Sequence, residues 1–210
     1  MASPAPTSQL RRSLQASLAI LKADLASLSR SWVLRGWIVA LVLSEFFLIA
    51  TSIVGARGVR LPASGIVATS LAGFLLVWST LIIVMSAGSV SLEADIISDS
   101  ILSRACTRTQ FIVAKLLARA LMILGIYLLS ASAVAYAAYR YALSDVTLST
   151  LVSCIGIVAL ALLLLVALGV LFSVIFNNTI VSVVALLLLW YVASPIFAFF
   201  GADYLSPTSL

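Results

Sequence analysis

Long apolar runs divided by short polar breaks organise this chain, and the first pattern differs from the rest. Leu10, Leu14, Leu18, Leu21, Leu25, Leu28 and Trp32 recur at spacings of four and three, while Arg11, Arg12, Gln15, Lys22 and Ser29 lie off that stripe. A narrow apolar stripe on a basic helix predicts an amphipathic helix over 10–30 lying in a membrane interface, with Leu14, Leu18, Leu21 and Leu25 towards lipid. The stripe also fits a soluble helix seated on a partner protein. Residues 1–9, which open MASPAPTS, predict a disordered N-terminus.

Residues 31–210 form the expected transmembrane domain. Its apolar runs predict spans at about 32–54, 66–90, 111–139, 148–176 and 180–200, each long enough for a hydrocarbon core of ~30 Å. Arg35, near the start of the first, can snorkel to headgroups. Arg57, Arg60 and Pro62 mark the first loop, and Arg140 and Asp145 mark the loop before span four. Asn177 and Asn178 predict a tight turn, and Pro195 can kink the last span. The expected fold is all-α: a polytopic membrane protein with an amphipathic N-terminal helix and five spans.

Composition supports lipid as the solvent. The chain is 63% hydrophobic and 9% charged, against about 25% charged in soluble domains, and its mean hydropathy is +1.25. Five spans in 210 residues leave no room for a nucleotide-binding or catalytic soluble domain. The net charge of +5 fits basic loops at an anionic membrane surface better than nucleic-acid binding. With the N-terminus inside, Arg11, Arg12, Lys22, Arg30, Arg35, Arg104, Arg108, Lys115 and Arg119 are cytoplasmic, and only Arg57, Arg60 and Arg140 are outside. That asymmetry predicts a multi-pass protein of the inner or plasma membrane with a cytoplasmic N-terminus. There is no histidine, and Cys106 and Cys154 form no CxxC, so no metal site or disulfide framework is expected. Lys22 and Asp24 break the first apolar run, so no signal peptide is expected. No internal repeat of the inverted-repeat transporter kind is visible.

Candidate chemistry concentrates in 91–119, between spans two and three. This segment holds Glu93, Asp95 and Asp99, three of the seven acids, and Arg104, Arg108, Lys115 and Arg119, four of the twelve bases. Ile96, Ile97 and Ser100 to Leu102 predict a short amphipathic helix beginning near Glu93, its acids at the N-terminal end that the helix dipole favours. Such a helix suits a groove in a soluble partner.

This layout resembles the membrane subunit of ABC transporters of the type-2 exporter family. Members carry an interfacial elbow helix before span one. Between spans two and three they carry an acidic start, a coupling helix, a Ser-Arg or Thr-Arg pair, and a Lys seven residues later. Here these are Glu93, the segment from about Ile96 to Ser103, Thr107-Arg108, and Lys115. The sequence departs from the pattern at Ile96 and Ile97, where Gly-Thr is frequent, and at Ala105, where Pro is frequent. Members most often have six spans, so the resemblance implies either a sixth span in a longer chain or its absence. It also implies a permease that does no covalent chemistry and pairs with a second copy or a paralogue. A separate cytoplasmic ABC ATPase would bind ATP and Mg²⁺ and dock on the 91–110 segment through Glu93, Asp95, Asp99, Arg104, Arg108 and Lys115. No cofactor binds the permease directly.

Glu45 lies inside the first span, where a carboxylate costs about 2.5–3.5 kcal/mol on insertion scales. It is either a contact on a translocation path or a neutral acid bonded to a neighbour such as Ser44, Thr51 or Ser52. Gly73, Ser79, Ser86, Gly88, Gly125, Ser130, Ser132, Gly156 and Gly169 predict close helix packing. Trp37, Trp78, Trp190, Tyr136, Tyr139, Tyr141 and Tyr191 include several near the expected span ends, where aromatic belts form. Two other functions fit parts of the pattern. A membrane-embedded lipid-modifying enzyme would use Glu93, Asp95 and Asp99 to hold Mg²⁺, though the longer Asp-rich motif of phosphatidyl-transfer enzymes is missing. A non-catalytic scaffold subunit would use the same polar helix to hold a partner.

Overall fold

The computed structural model describes residues 6–54, 62–89, 108–143, 145–176 and 178–199. Its elements are helices: α1 (Pro6–Arg30), α2 (Trp32–Val54), α3 (Ala63–Ala87), α4 (Arg108–Tyr141), α5 (Leu148–Ile175) and α6 (Thr179–Phe199). Four of them, α2 to α5, are long and apolar enough to cross a membrane, which is compatible with a multi-pass membrane protein. In α6 the stretch Thr179–Val192 is apolar but shorter.

Helix boundaries follow local chemistry. Helix α1 starts at Pro6, inside the stretch expected to be disordered, because proline is pre-set for the first helical position. Ser31 separates α1 from α2, its Oγ accepting from the Leu34 amide at 3.1 Å as an N-cap. Arg35 reaches back so that its Nε donates to the Ser29 carbonyl at 3.3 Å, satisfying the C-terminal end of α1. Helix α3 begins three residues before the expected start of span two. Its first turn is anchored by the Ala63 amide, which donates to the Leu143 carbonyl at 3.0 Å. The expected Asn turn is seen at Asn178, whose Oδ1 accepts from the Ile180 amide at 2.9 Å and caps α6. Asn177 lies outside the described residues.

Helices α3, α4 and α5 pack on one another and form the centre. Helices α1 and α2 lie against α4, and α6 lies against α3 and α5. On α5 the buried side is Leu151, Val158, Leu162, Leu165, Gly169 and Ser173, a helical period that gives one seam. Among the described side chains of α2, only Leu34, Trp37, Leu41 and Glu45 are buried, while Val42, Leu43, Phe46 and Phe47 are exposed. Phe74 of α3 meets the Tyr127 ring of α4 edge-on at 4.8 Å and 85°. The Tyr127 hydroxyl donates to the Ile155 carbonyl of α5 at 2.8 Å, so one side chain joins all three central helices.

The small residues behave less uniformly than expected. A Cβ at Gly73, Gly125 or Gly156 would meet nothing within 4 Å, so these glycines mediate no close approach. Gly169 does: a Cβ there would lie 2.5 Å from Ser86 Cβ and 3.3 Å from the Ala87 amide nitrogen. The aromatic residues divide likewise. Tyr136, Tyr139 and Tyr141 are exposed near the end of α4, as a belt requires. Trp37 and Trp190 are buried between helices instead, at 2% and 4% exposure. Their apolar area is satisfied by packing rather than at a membrane surface.

Candidate functional site

Two ends of the bundle are distinguishable. At one end lie α1, the last turn of α3, the first turns of α4 and the start of α6. Here Ser182 donates to the Ala87 carbonyl at 3.4 Å. At the far end Pro62 and Leu143 form a backbone bridge and Ser64 bonds to Asp145.

The α1 end contains a buried charge cluster. Asp24 faces α4 and is 6% exposed. The Lys115 ammonium donates to Asp24 Oδ1 at 2.7 Å, an ion pair whose side chains are 4% and 5% exposed. Arg119, one turn further along α4, has its Nε 3.8 Å from Asp24 Oδ2. Its Nη1 donates to the Met85 carbonyl at 2.7 Å. That carbonyl is one of the last of α3, where helices leave acceptors without intrahelical donors and where the macrodipole favours a cation. Phe111, one turn before Lys115, places its ring centroid 5.5 Å from the Lys115 nitrogen. One carboxylate and two cations thus fasten three helices: α1, α3 and α4.

The expected docking residues divide at this point. Lys115 is in the cluster, 3% exposed, so it ties α1 to α4 rather than presenting a charge at the surface. Glu93, Asp95, Asp99 and Arg104 lie outside the described residues. Arg108 opens α4, and its side chain also lies outside them. Along α1, Leu18 is exposed and Leu21 and Leu25 are half-buried, while the side chain of Leu14 is not among those described. Leu18 and Leu21 border a groove of about 310 Å³ whose other wall is the start of α4, including Val113 and Leu117. The inner side of α1 centres on Asp24 and on Leu28 of the leucine stripe. Asp24 was legible as a carboxylate three residues after Leu21 and four before Leu28, on the buried edge of that stripe. Arg119 carried no such signal.

Glu45 has a different partner from those expected. Ser70 of α3 donates to Glu45 Oε1 at 2.9 Å, in a buried contact between α2 and α3. Ser44, Thr51 and Ser52 each donate to carbonyls of their own helix: Leu41 at 2.8 Å, Phe47 at 2.8 Å and Leu48 at 2.7 Å. This is the usual way for a hydroxyl to be satisfied inside a helix.

Helix α3 is interrupted by a π-helical stretch, Phe74–Trp78, which no sequence pattern signalled. Widening the helix turns carbonyls away from their usual donors, and α6 supplies replacements. Trp190 Nε1 donates to the Leu75 carbonyl at 3.3 Å, and the Tyr191 hydroxyl to the Leu76 carbonyl at 2.6 Å. The Tyr191 oxygen also lies 3.0 Å from Ser79 Oγ and 2.7 Å from Thr80 Oγ1.

At the far end, Asp145 accepts from the Ser64 amide at 3.0 Å and from the Ser64 hydroxyl, capping the start of α3. The Ser64 hydroxyl, then its amide, hold the Asp145 carboxyl below its ordinary 3.8. Cys154 is a free thiol on the exposed side of α5, and Cys106 lies outside the described residues. Among the described residues no three acidic, cysteine or histidine side chains gather as a metal site would require. Compared with known proteins, the chain matches no family model, no curated protein and no solved structure.

Proposed function

We propose that this chain is the membrane-spanning permease subunit of an ATP-driven ABC exporter, coupled to a separate cytoplasmic ATPase through residues 91–110. The reading rests on the resemblance in layout, and the observation that supports it best is the charge cluster at the α1 end. The segment between α3 and α4 is the proposed coupling element. Its two anchorages are the last turn of α3 and the first turns of α4, and Arg119 and Lys115 fasten both to each other and to α1. A force applied to the segment by a partner would therefore move three helices together, as a subunit driven from one end requires.

In this proposal the α1 end is cytoplasmic, α1 is the elbow helix, and α6 is a fifth span. Glu93, Asp95, Asp99, Arg104 and Arg108 contact the ATPase, while Lys115 positions the element from within. The ATPase binds ATP and Mg²⁺, and its closure biases the helices between two arrangements. The permease pairs with a second copy or a paralogue across the membrane. Glu45, bonded to Ser70, is the candidate polar contact on a translocation path.

Purification of the chain in mild detergent from its native host, with mass spectrometry of what co-elutes, tests this. The expected result is a soluble ATPase in stoichiometric amount, lost when residues 93–108 are scrambled. A monodisperse chain free of any ATPase would overturn the proposal.

A further inference from the structure

We infer that the groove between α3 and α5 at the far end is a binding site for one acyl chain of an amine-headed zwitterionic phospholipid. The groove encloses about 460 Å³. That is on the order of fifteen times the ~30 Å³ a water molecule takes in the liquid, and a methylene group needs similar space. Its lining runs from Ser64 to Leu76 along α3 and, opposite, from Val146 just before α5 to Val158 on α5. At 1.5 Å per residue the α3 wall is about 18 Å long, roughly one leaflet of a ~30 Å hydrocarbon core.

The shape is that of a chain slot. Buried Val67, Leu71, Leu151 and Val158 make its apolar back wall. Polar lining is sparse: the hydroxyls of Ser64 and Thr150 lie towards the open end of the helices, with the Cys154 thiol one turn deeper. The slot ends at Leu75 and Leu76, the residues of the π-helical stretch whose carbonyls are taken by Trp190 and Tyr191. Such interruptions of an α-helix concentrate at functional sites.

The headgroup follows from charge. The exposed Asp145 carboxylate is bonded to Ser64 at the mouth, and its charge attracts an ammonium and repels the carboxylate of a free fatty acid. A phospholipid with an amine headgroup therefore fits better than a fatty acid or an anionic lipid.

The inference requires the helices to be membrane spans, and recovery of the chain from membranes only with detergent tests that separately. The full chain, stripped of lipid in detergent, is reloaded with phosphatidylethanolamine, phosphatidylglycerol or palmitate and read by native mass spectrometry. In a Cys106→Ser background, the rate of Cys154 alkylation reports occupancy independently. The expected result is one retained phosphatidylethanolamine per chain and slowed alkylation of Cys154. Both effects should be lost in the Ala68→Phe, Ala72→Phe double variant, which fills the slot from its exposed rim. Equal retention of all three lipids, equal retention by the filled variant, or no protection of Cys154 by phosphatidylethanolamine would each overturn it.

Discussion

At the scale of single residues, Asp24 is the acid on which most depends. Burial removes its hydration, and Lys115 with Arg119 replaces it. Removing one partner from a buried ion pair typically costs about 3–5 kcal/mol, because the other charge stays behind without compensation. Asp24→Ala should therefore lower thermal stability in detergent strongly. Adding Lys115→Met should recover a substantial part of the loss, since a similar volume returns without a charge. A double-mutant cycle that proves additive would show that the pair is not coupled. Asp145 makes the opposite case, being fully exposed. Its folded value is depressed, so its contribution to stability is present above its unfolded value and lost as pH falls through the folded one. The melting-temperature gap between the chain and Asp145→Asn should thus be full near neutral pH and close in acid. A gap that persists in acid would assign the effect to packing. Both acids could be seen in the sequence, but not their partners: Lys115 lies 91 residues from Asp24 and Ser64 lies 81 from Asp145. Periodicity constrains neighbours on one helix and is silent about pairs at such separations.

At the scale of elements, helix positions were largely legible because an uninterrupted apolar run leaves the backbone no partner but itself in lipid. The start and end of α2 agree with the expected first span, and α5 with the fourth to within a residue. What lies inside an element was not legible. The π-helical stretch of α3 is made of Phe, Leu, Leu, Val and Trp, residues equally at home in an α-helix. It persists because α6 donates to the carbonyls it turns outward. Tyr191→Phe should remove the donor to Leu76 at a cost of about 1 kcal/mol. Amide exchange should rise selectively around residues 76–80, and unchanged exchange there would show that the stretch needs no donor. The contact between α3 and α5 depends on Gly169. Gly169→Ala places a methyl group against Ser86 and should cost about 1–3 kcal/mol as overpacking. Ser86→Gly should rescue it and Ser86→Ala should not, because the Ser86 Cβ, which alanine keeps, would still lie 2.5 Å from the new methyl carbon. Nine small residues looked equivalent in the sequence, but whether a glycine faces a neighbouring helix depends on rotation about the helix axis.

At the scale of the whole molecule, charge sets orientation, and the folded chain changes the charge count. The sequence places nine bases on the α1 side and three on the other. Among the described residues Lys115 is engaged within the bundle by Asp24 and Arg119 by the Met85 carbonyl, and with these two set aside the count in the sequence is still seven against three. Each basic residue near an anionic leaflet is worth about 1 kcal/mol, so the asymmetry still favours a cytoplasmic α1 end. The bundle supplies a reporter for each side, since Ser29 is exposed at the end of α1 and Arg140 at the end of α4. With Cys106 and Cys154 both changed to Ser, Arg140→Cys should react with a membrane-impermeant maleimide on intact cells. Ser29→Cys should react only after lysis. Reaction of Ser29→Cys on intact cells would turn the molecule over and place residues 91–110 outside, beyond the reach of any cytoplasmic ATPase. Orientation is therefore the point at which the proposed coupling is most exposed to refutation, and it is tested without knowledge of the substrate.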